Sequence, residues 1–391
     1  MPKADLPIVI AGGGIGGIAA ALALTQKGFA VQVLERAADF HELGAGIQLG
    51  PNVFRMFEHL GVGVEMSHWA VFPNSLIMRD ALDGSEITRI PTGEPLHRRF
   101  GYPYAVIHRA DLHKVLLDAV RRSPLATLTT SAKVLSYEDR GDRVLVQTED
   151  GKSIEGAALI GADGLWSAVR SQLVGDGKPR VSGHIAYRGV IPLAKVPEHL
   201  WENNVVLWAG PKTHLVHYPL HRGEVYNLVV VFHSSRYEEG WDTYGDPAEL
   251  HERFAGQHRR VREFLAMANE WKMWVLCDRD PISQWTSGSV TLLGDAAHPM
   301  LQYLAQGACM AIEDAVVLAR ILADANGDYN AAFLAYQQQR YLRTTRVQLT
   351  ARMYGDIYHA TDAVRDLRRQ MLAGRTPEQA YNGMAWLYDG I

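Results

Sequence analysis

A glycine turn between an apolar run and a helical stretch limits what this chain can fold into. Pro7–Ala11 has the length of a buried strand, and the GGGIGG that follows opens the stretch IAAALALTQKG. Gly12, Gly14 and Gly17 fit the pattern G-x-G-x-x-G. The first glycine permits a tight turn, the second lets a pyrophosphate approach the backbone, and the third lets helix and strand pack closely. We therefore expect a strand–turn–helix unit that binds a dinucleotide.

A second strand in the expected place supports this interpretation. Ala30–Leu34 is predicted to be a strand, and Glu35 stands at its end with Arg36 beside it. An acidic side chain at that position accepts hydrogen bonds from the ribose hydroxyls of an adenosine. We assign Glu35 and Arg36 to cofactor binding. A glycine-rich structural turn is the alternative, and the pattern alone does not distinguish NAD from FAD.

Length and composition exclude several classes of protein. A chain of 391 residues is expected to form two domains, and its formal net charge of -4 gives no basic footprint for nucleic acid. Cys277 and Cys309 form neither a disulfide framework nor a metal-ligand pattern, so we expect a cytoplasmic protein without a metal. Leu6–Gln26 is uncharged, but five glycines interrupt it, so we predict a buried strand and helix and no integral membrane segment.

Two further segments suit a flat, charged cofactor. Gly44–Asn52 is predicted to be a glycine-rich loop, in which Gln48 would lie close to a ring system; an ordinary loop is the alternative. Arg109 precedes an apolar helical pattern, and a cation at a helix N-terminus is unfavourable for the helix dipole. We therefore expect Arg109 to have an anionic partner, either a pyrophosphate or a carboxylate such as Asp111.

Two more apolar runs end on glycine and aspartate. The run AALIGADG carries Asp163 and leads to Arg170, and the run VTLLGD ends on Asp295. A helix is predicted to begin at Gly307-Ala308, shortly after Asp295. A strand that leads to a helix N-terminus places a carboxylate and free backbone N–H groups around one polar ligand.

The glycine turn, the Asp163 segment with Arg170, and Gly294-Asp295 with its helix resemble the three signatures of the FAD-dependent aromatic hydroxylases. These are single-component flavoprotein monooxygenases of the para-hydroxybenzoate hydroxylase type. The motifs occur in the family's order and span residues 9 to 320. The resemblance implies non-covalent FAD, with NADH or NADPH as a passing reductant and O2 as co-substrate.

The resemblance also implies roles for individual residues. Glu35 would hold the adenosine ribose, Arg109 would lie near the pyrophosphate, and Asp295 would hold the ribityl chain. Asp163 would position the pyrophosphate segment. The helix that begins at Gly307 and Ala308 would stabilise the anion of the reduced flavin, because a helix N-terminus favours negative charge.

The expected fold class is α/β. A Rossmann-like FAD-binding domain with a parallel sheet is joined to a mostly antiparallel substrate domain and to C-terminal helices. The predicted boundaries follow the chain in this order: FAD-binding domain 1–75, substrate domain 76–100, FAD-binding domain 101–180, substrate domain 181–277, FAD-binding domain 278–325, and a C-terminal helical segment 326–391.

The substrate face is predicted from β-type runs between about residues 181 and 277. Period-two alternation within Thr213–His221 places His214, Val216 and Tyr218 on one side of a strand and His217 on the other. His214 and Tyr218 are then roughly 13 Å apart, since a strand rises about 3.3 Å per residue. Two inward side chains could contact opposite ends of one small aromatic acid.

His214, Tyr218 and Gln302, with the stretch QYLAQGACMAIEDAV, closely resemble the 3-hydroxybenzoate 6-hydroxylases of this family. The resemblance implies para-hydroxylation of a small phenolic acid, 3-hydroxybenzoate, to gentisate (2,5-dihydroxybenzoate). His214 is expected to accept the phenol proton, because an unperturbed histidine titrates near neutrality. Gln302 would bind the phenolate oxygen or relay its proton, and Tyr218 would bind the carboxylate or fix the position of the ring. The parts played by His214 and Tyr218 could be reversed.

Other functions stay open. Salicylate and 6-hydroxynicotinate are the alternative substrates, although Gln48 and Gln302-Tyr303 depart from the pattern of 6-hydroxynicotinate 3-monooxygenases. A non-catalytic flavin-binding protein and an NAD-dependent dehydrogenase are alternatives from other classes. The helical segment from Tyr329 to about Met371 is expected either to pack or to form a homodimer contact, or else to be a solvated helix.

Overall fold

The computed structural model describes residues 6–41, 46–235 and 243–391. Its strands, in chain order, are β1 (Ile8–Ala11), β2 (Val31–Leu34), β3 (Gly46–Leu49), β4 (Ser75–Asp80), β5 (Glu86–Pro91), β6 (Ala105–His108), β7 (Ala126–Thr129), β8 (Val134–Asp139), β9 (Val144–Thr148), β10 (Ser153–Gly156), β11 (Ala158–Gly161), β12 (Arg180–Pro192), β13 (Val205–Gly210), β14 (Thr213–Leu220), β15 (Val225–His233), β16 (Thr243–Tyr244), β17 (Lys272–Asp278), β18 (Thr286–Ser287) and β19 (Val290–Leu292).

The helices, in the same order, are α1 (Ile15–Gln26), α2 (Pro51–His59), α3 (Gly63–Trp69), α4 (Glu94–Phe100), α5 (Arg109–Arg121), α6 (Ala168–Leu173), α7 (Pro247–Arg253), α8 (Arg259–Met267), α9 (Gly307–Asp324), α10 (Tyr329–Tyr358), α11 (Asp362–Leu372) and α12 (Pro377–Tyr388). Across the ranges that the structure describes, none of these helices combines the length and apolar character needed to cross a membrane.

A six-stranded sheet in the order β18-β19-β11-β1-β2-β7 carries the three sequence motifs. Its strands β19, β11, β1, β2 and β7 pair in parallel. The carboxyl ends of parallel strands meet at one edge of a sheet, and ligands of open α/β sheets bind at that edge. Gly12, Asp163 and Asp295 follow β1, β11 and β19, so the topology brings them to the same edge.

Two positions in the first turn require glycine, because other backbone atoms lie too close to leave room for a Cβ. Gly12 has φ +105°, and a Cβ placed on it would lie 2.3 Å from the carbonyl oxygen of Ala162. A Cβ on Gly17 would lie 2.0 Å from the carbonyl oxygen of Gly12. The turn therefore packs directly on the strand β11 and on the start of α1. Helix α1 in turn packs against α5 and α9.

An eight-stranded sheet in the order β16-β17-β12-β15-β14-β13-β4-β5 forms the second layer. Its pairs are antiparallel except for the parallel pair of β13 with β4. The chain enters this sheet at residues 75–91 and returns to it at 180–278. The predicted fold class, a parallel sheet with a mostly antiparallel sheet and C-terminal helices, is confirmed, while the exact domain boundaries stay a prediction.

The prediction that Gly44–Asn52 is a loop is wrong for its middle part. Residues 46–49 form β3, which pairs with β6 so that Gly46 faces His108 and Leu49 faces Ala105. Gly44 and the residue after it lie outside the described residues. A partner strand about sixty residues away satisfies the backbone, and local composition gives no signal for such a partner.

The C-terminal segment consists of three helices, and the predicted stretch from Tyr329 to about Met371 spans the first two of them. Helix α10 is 30 residues long and ends at Tyr358, and α11 and α12 follow after short breaks. The buried guanidinium of Arg340 on α10 contacts the carboxylates of Glu313 and Asp314 on α9, at 2.8 and 2.6 Å. Helix α10 is therefore held to the cofactor-side helix by buried ion pairs, which supports the packing interpretation of this segment.

Candidate active site

A cavity of about 950 Å³ lies between the carboxyl edge of the parallel sheet and one face of the eight-stranded sheet. Most of the predicted site residues line it, although they come from distant parts of the chain. Gly17 is the exception, because it lies beneath the turn against Gly12. The predicted residues that line the cavity are Gly12, Gly14, Glu35, Arg36, Gln48, Arg109, Asp163, His214, Tyr218, Asp295, Gln302, Gly307 and Ala308.

The Glu35 carboxylate holds the glycine turn in place. It accepts hydrogen bonds from the backbone N–H groups of Gly13 at 2.7 Å and of Ala37 at 2.8 Å. Glu35 also lines the cavity beside the turn. Its position at the end of β2 is the one expected for an adenosine-binding residue.

Asp163 is largely occupied by its own chain segment. Its carboxylate accepts hydrogen bonds from the hydroxyl of Ser167 and from the backbone N–H of Ala168, at 2.8 Å, just where α6 begins. Burial raises the pKa of Asp163. The geometry supports a role in shaping this turn, while the role in positioning the pyrophosphate segment stays a prediction.

Arg170 joins the second motif to the third. Its Nη1 donates hydrogen bonds to the carbonyl oxygens of Ala296 and Ala297, at 2.9 and 2.7 Å. On the other side of the same turn, the carboxylate of Asp314 accepts a hydrogen bond from the backbone N–H of Gly294 at 3.0 Å. The turn that carries Asp295 is therefore fixed from both sides. Nothing in the sequence analysis pointed to Asp314, although a Glu-Asp pair within a mostly apolar helix was a usable signal.

Helix α9 points its N-terminus into the cavity. Gly307 and Ala308 begin this 18-residue helix, and its N-cap residue, Gln306, forms no side-chain cap hydrogen bond within the described structure. The Oδ1 atom of Asp295 would lie 3.8 Å from a Cβ on Gly307. The backbone N–H groups and the positive end of the helix dipole favour a ligand that gains negative charge, and the carboxylate of Asp295 lies beside them as a hydrogen-bond acceptor.

One face of β14 forms the opposite wall of the cavity. His214, Val216 and Tyr218 line it. His217 lies on the other side of the sheet, where Nε2 accepts a hydrogen bond from Trp208 Nε1 at 3.0 Å. The alternation predicted from the sequence therefore has the expected direction.

His214 differs from its predicted state. It is 2% exposed, and its Nδ1 shares a hydrogen bond of 2.7 Å with Nε2 of His359. Burial lowers the pKa of His214 to about 3. The premise that this ring titrates near neutrality is wrong, because desolvation disfavours the charged form. His214 is a neutral acceptor throughout the physiological range, and Nε2 is the ring nitrogen left for a substrate.

Gln48 lies with two tyrosines. The hydroxyl of Tyr104 donates a hydrogen bond to its side-chain oxygen, and the hydroxyl of Tyr218 is also close to it. Burial raises the pKa of Tyr218 to about 12, so its hydroxyl stays protonated as a donor. Gln48 was predicted to bind the cofactor. In the structure it contacts Tyr218, which was predicted to bind the substrate.

A half-buried arginine that the sequence analysis did not single out completes this wall. Nη2 of Arg188, on β12, donates a hydrogen bond to Oε1 of Gln302 at 2.7 Å, and its guanidinium lies 5.1 Å from the ring centroid of Trp274. Burial lowers the pKa of Arg188 to about 10, which still leaves it charged at neutral pH. A charged residue on the inward face of an apolar strand was its only sequence signal.

Comparison with known proteins gives one family and several relatives. A family model described as "FAD binding domain" matches residues 5–350. The chain is 49% identical to a 3-hydroxybenzoate 6-hydroxylase of Polaromonas naphthalenivorans, over 98% of this chain and 96% of the relative. It is 45% identical to the 3-hydroxybenzoate 6-hydroxylase of Klebsiella oxytoca, over 97% and 96%. Among solved structures, HpxO of Klebsiella pneumoniae in complex with FAD and uric acid is similar with TM-score 0.88 and 30% identity, over 99% and 97%.

Proposed function

Because this chain belongs to the FAD-binding-domain family of flavoprotein hydroxylases, we propose that it converts 3-hydroxybenzoate to 2,5-dihydroxybenzoate. It is a flavoprotein aromatic monooxygenase with FAD as its cofactor. The choice of substrate and the para position of the new hydroxyl are the proposal, as are O2 and NADH or NADPH as co-substrates.

The residues of the cavity fit FAD. Gly12 and Gly17 have no room for a Cβ, Arg36 and Arg109 line the cavity, and the N-terminus of α9 faces it beside Asp295. When bound, FAD supplies the transfer of one oxygen atom from O2 to an electron-rich ring. The chain itself must bind the ring, orient it, exclude water and remove the phenol proton.

The observation that carries the proposal is a half-buried cation, Arg188, in the same cavity as a neutral histidine, His214. Sheet register places Arg188 opposite Val229, which in turn lies opposite Val216, the residue between His214 and Tyr218. A hydroxybenzoate carries one carboxylate and one weakly acidic hydroxyl. The guanidinium of Arg188 suits the carboxylate, since charged donors form the stronger hydrogen bonds with it.

The other side chains of the cavity have separate roles in binding the substrate and removing its proton. Tyr218 donates a second hydrogen bond to the carboxylate, and Gln302 orients Arg188 through the bond already present between them. His214 accepts the phenol proton at Nε2. Loss of that proton raises the electron density at the carbon para to the hydroxyl, and this carbon receives the oxygen atom.

Turnover with product identification tests the proposal. The purified protein is given NADH or NADPH, O2 and, in separate reactions, 3-hydroxybenzoate, salicylate and 6-hydroxynicotinate. Benzoate serves as the control that lacks the hydroxyl. We expect 2,5-dihydroxybenzoate from the first substrate. Catechol from salicylate, with no product from 3-hydroxybenzoate, would instead assign the protein as a salicylate hydroxylase.

We also propose that the chain forms a homodimer through its C-terminal helices. Leu342, Leu349 and Met353 on α10 are exposed to 65%, 49% and 51%, at spacings that share one helix face. Val364 and Met371 on α11 are exposed to a similar degree. Exposed apolar side chains that share one helix face are typical of a protein interface. Light scattering of the wild-type protein and of Leu342→Lys tests it, and a monomeric wild type contradicts it.

A further inference from the structure

Three histidines form a continuous chain of hydrogen bonds behind the substrate wall. Nδ1 of His214 lies 2.7 Å from Nε2 of His359, and Nδ1 of His359 lies 3.0 Å from Nε2 of His233. Both ring nitrogens of His359 are used, one toward each neighbour. His359 is therefore a link and not an end of the chain.

The two ends of this chain are in different surroundings. His214 lines the cavity and is fully buried. His233 is the last residue of β15 and is only partly buried. His359, at the end of α10, is 5% exposed and lies between them. The chain of rings thus runs from the cavity to the partly exposed end of β15.

The backbone of one turn residue, Lys212, fixes the relative position of His359 and His233. The N–H of Lys212 donates a hydrogen bond to the carbonyl oxygen of His359 at 3.0 Å, and its carbonyl oxygen accepts one from the N–H of His233 at 3.1 Å. Lys212 has φ +55°, a conformation that a lysine adopts only where its surroundings hold it. The alignment of the two rings is therefore built into the turn between β13 and β14.

We propose that His214, His359 and His233 are a proton relay that carries the phenol proton of the bound substrate to solvent. The relay rests on the proposed function, because it needs a substrate with an ionisable hydroxyl. The O–H bond of the phenol breaks, and an N–H bond forms at Nε2 of His214. The proton on Nδ1 of His214 passes to Nε2 of His359, and the proton on Nδ1 of His359 passes to Nε2 of His233. His233 gives up the proton on its Nδ1 to water, so each ring ends neutral.

The electrostatics of the buried rings favour passing the proton on. Burial lowers the pKa of His214 to about 3, and burial followed by the neighbouring histidines lowers the pKa of His359 further. Neither ring is protonated to the imidazolium cation at neutral pH. If His214 kept the phenol proton, it would become a buried cation, which is unfavourable. Transfer of a proton to the next ring leaves His214 neutral.

The groups around His233 suit an exit. Burial and the charge of Lys212 lower its pKa, and Asp356 acts in the opposite direction. The ring of His184 stacks on His233 at 4.3 Å between centroids, and Nδ1 of His184 lies 2.6 Å from the hydroxyl of Tyr303. His184 and Tyr303 are not part of the proposed relay, since the hydrogen bonds from His214 through His359 to His233 do not include them.

Proton release on substrate binding is the test. The holoenzyme is mixed with 3-hydroxybenzoate in weakly buffered solution that contains a pH indicator, and release is followed by stopped flow. His359→Gln keeps a polar side chain but cannot relay a proton, and His233→Ala removes the exit. A general base typically contributes about 10²–10⁴-fold, so we expect release in both variants to slow by at least about tenfold. His199→Ala is the matched control, because His199 is exposed and does not line the cavity.

Chemical rescue by imidazole distinguishes a role in proton transfer from a purely structural role. Added imidazole should restore release in His233→Ala, because His233 is reachable from solvent, and should not restore it in His359→Gln. FAD content and the affinity for 3-hydroxybenzoate should stay at wild-type values in both. Wild-type rates in both variants would overturn the relay alone. A wild type that converts no 3-hydroxybenzoate would overturn the proposed function, and the relay with it.

Discussion

Nη2 of Arg188 lies 2.7 Å from Oε1 of Gln302, and this hydrogen bond joins the two halves of the active site. Arg188 belongs to β12 of the eight-stranded sheet. Gln302 belongs to the segment between the Asp295 turn and α9, on the cofactor side. A ligand held by Arg188 would therefore be positioned relative to the segment that leads into α9.

We expect Arg188→Gln to raise KM for 3-hydroxybenzoate by about 10- to 100-fold, because a hydrogen bond to a charged group contributes about 1.5–3 kcal/mol. The reason is the loss of the charged partner of the carboxylate. Steady-state kinetics measures it, with Arg188→Lys as the variant that keeps the charge. An equal KM in wild type and Arg188→Gln would show that the carboxylate binds elsewhere.

His214→Ala should uncouple NADH oxidation from hydroxylation. The phenol then keeps its proton, the para carbon is a poorer nucleophile, and hydroxylation slows by about 10²–10⁴-fold, the usual contribution of a general base. Reducing equivalents should appear as hydrogen peroxide. The measurement is 2,5-dihydroxybenzoate formed per NADH consumed, with and without catalase. FAD content should not change, and unchanged coupling would remove His214 from the mechanism.

Gly17→Ala should reduce the FAD retained per chain. A Cβ at this position would lie 2.0 Å from the carbonyl oxygen of Gly12, so the turn must move. Forced packing of this kind costs about 1–3 kcal/mol in the free energy of unfolding. Visible absorbance per protein and urea unfolding measure the two effects. Gly256→Ala is the control, since nothing lies within 4 Å of a Cβ there.

Stability should fall as the pH falls below neutrality. Burial lowers the pKa of His214 and of His217 to about 3 in the folded protein, against about 6.5 for an unperturbed histidine. Between these values the unfolded chain binds protons that the folded chain does not, so the free energy of unfolding decreases with each step of acidification. Urea unfolding from pH 7 to pH 4 measures the slope. It should be shallower in His217→Gln, and an equal slope would contradict the assignment of His217 as a neutral buried ring.

Patterns within short stretches of sequence were sufficient to predict the parts of the site that are formed by residues close together in the chain. The glycine pattern, Glu35 at the end of β2 and the alternation along β14 each depend on residues close in sequence. FAD and the fold class followed from them and from the order of the three motifs. The roles of His214, Tyr218 and Gln302 remain predictions that the experiments above address.

Contacts between distant segments could not be predicted in the same way. His359 lies 145 residues from His214, beyond the end of a helix whose break was not foreseen. Arg188 lies 114 residues from Gln302. The pKa of His214 depends on its burial by these neighbours, so an interpretation based on an isolated histidine gave the wrong protonation behaviour.

The cavity wall is assembled from segments that begin at residue 11 and end near residue 388, and this has a consequence for how the holoenzyme forms. A partly folded chain cannot offer FAD its complete site, so the flavin binds only after the long-range sheet contacts exist. Binding of FAD to the native state then raises the free energy of unfolding, by about 2.7 kcal/mol when the concentration of free FAD is about 100 times its Kd. Riboflavin supply during expression should therefore set how much native protein accumulates, and destabilised variants should depend on it most.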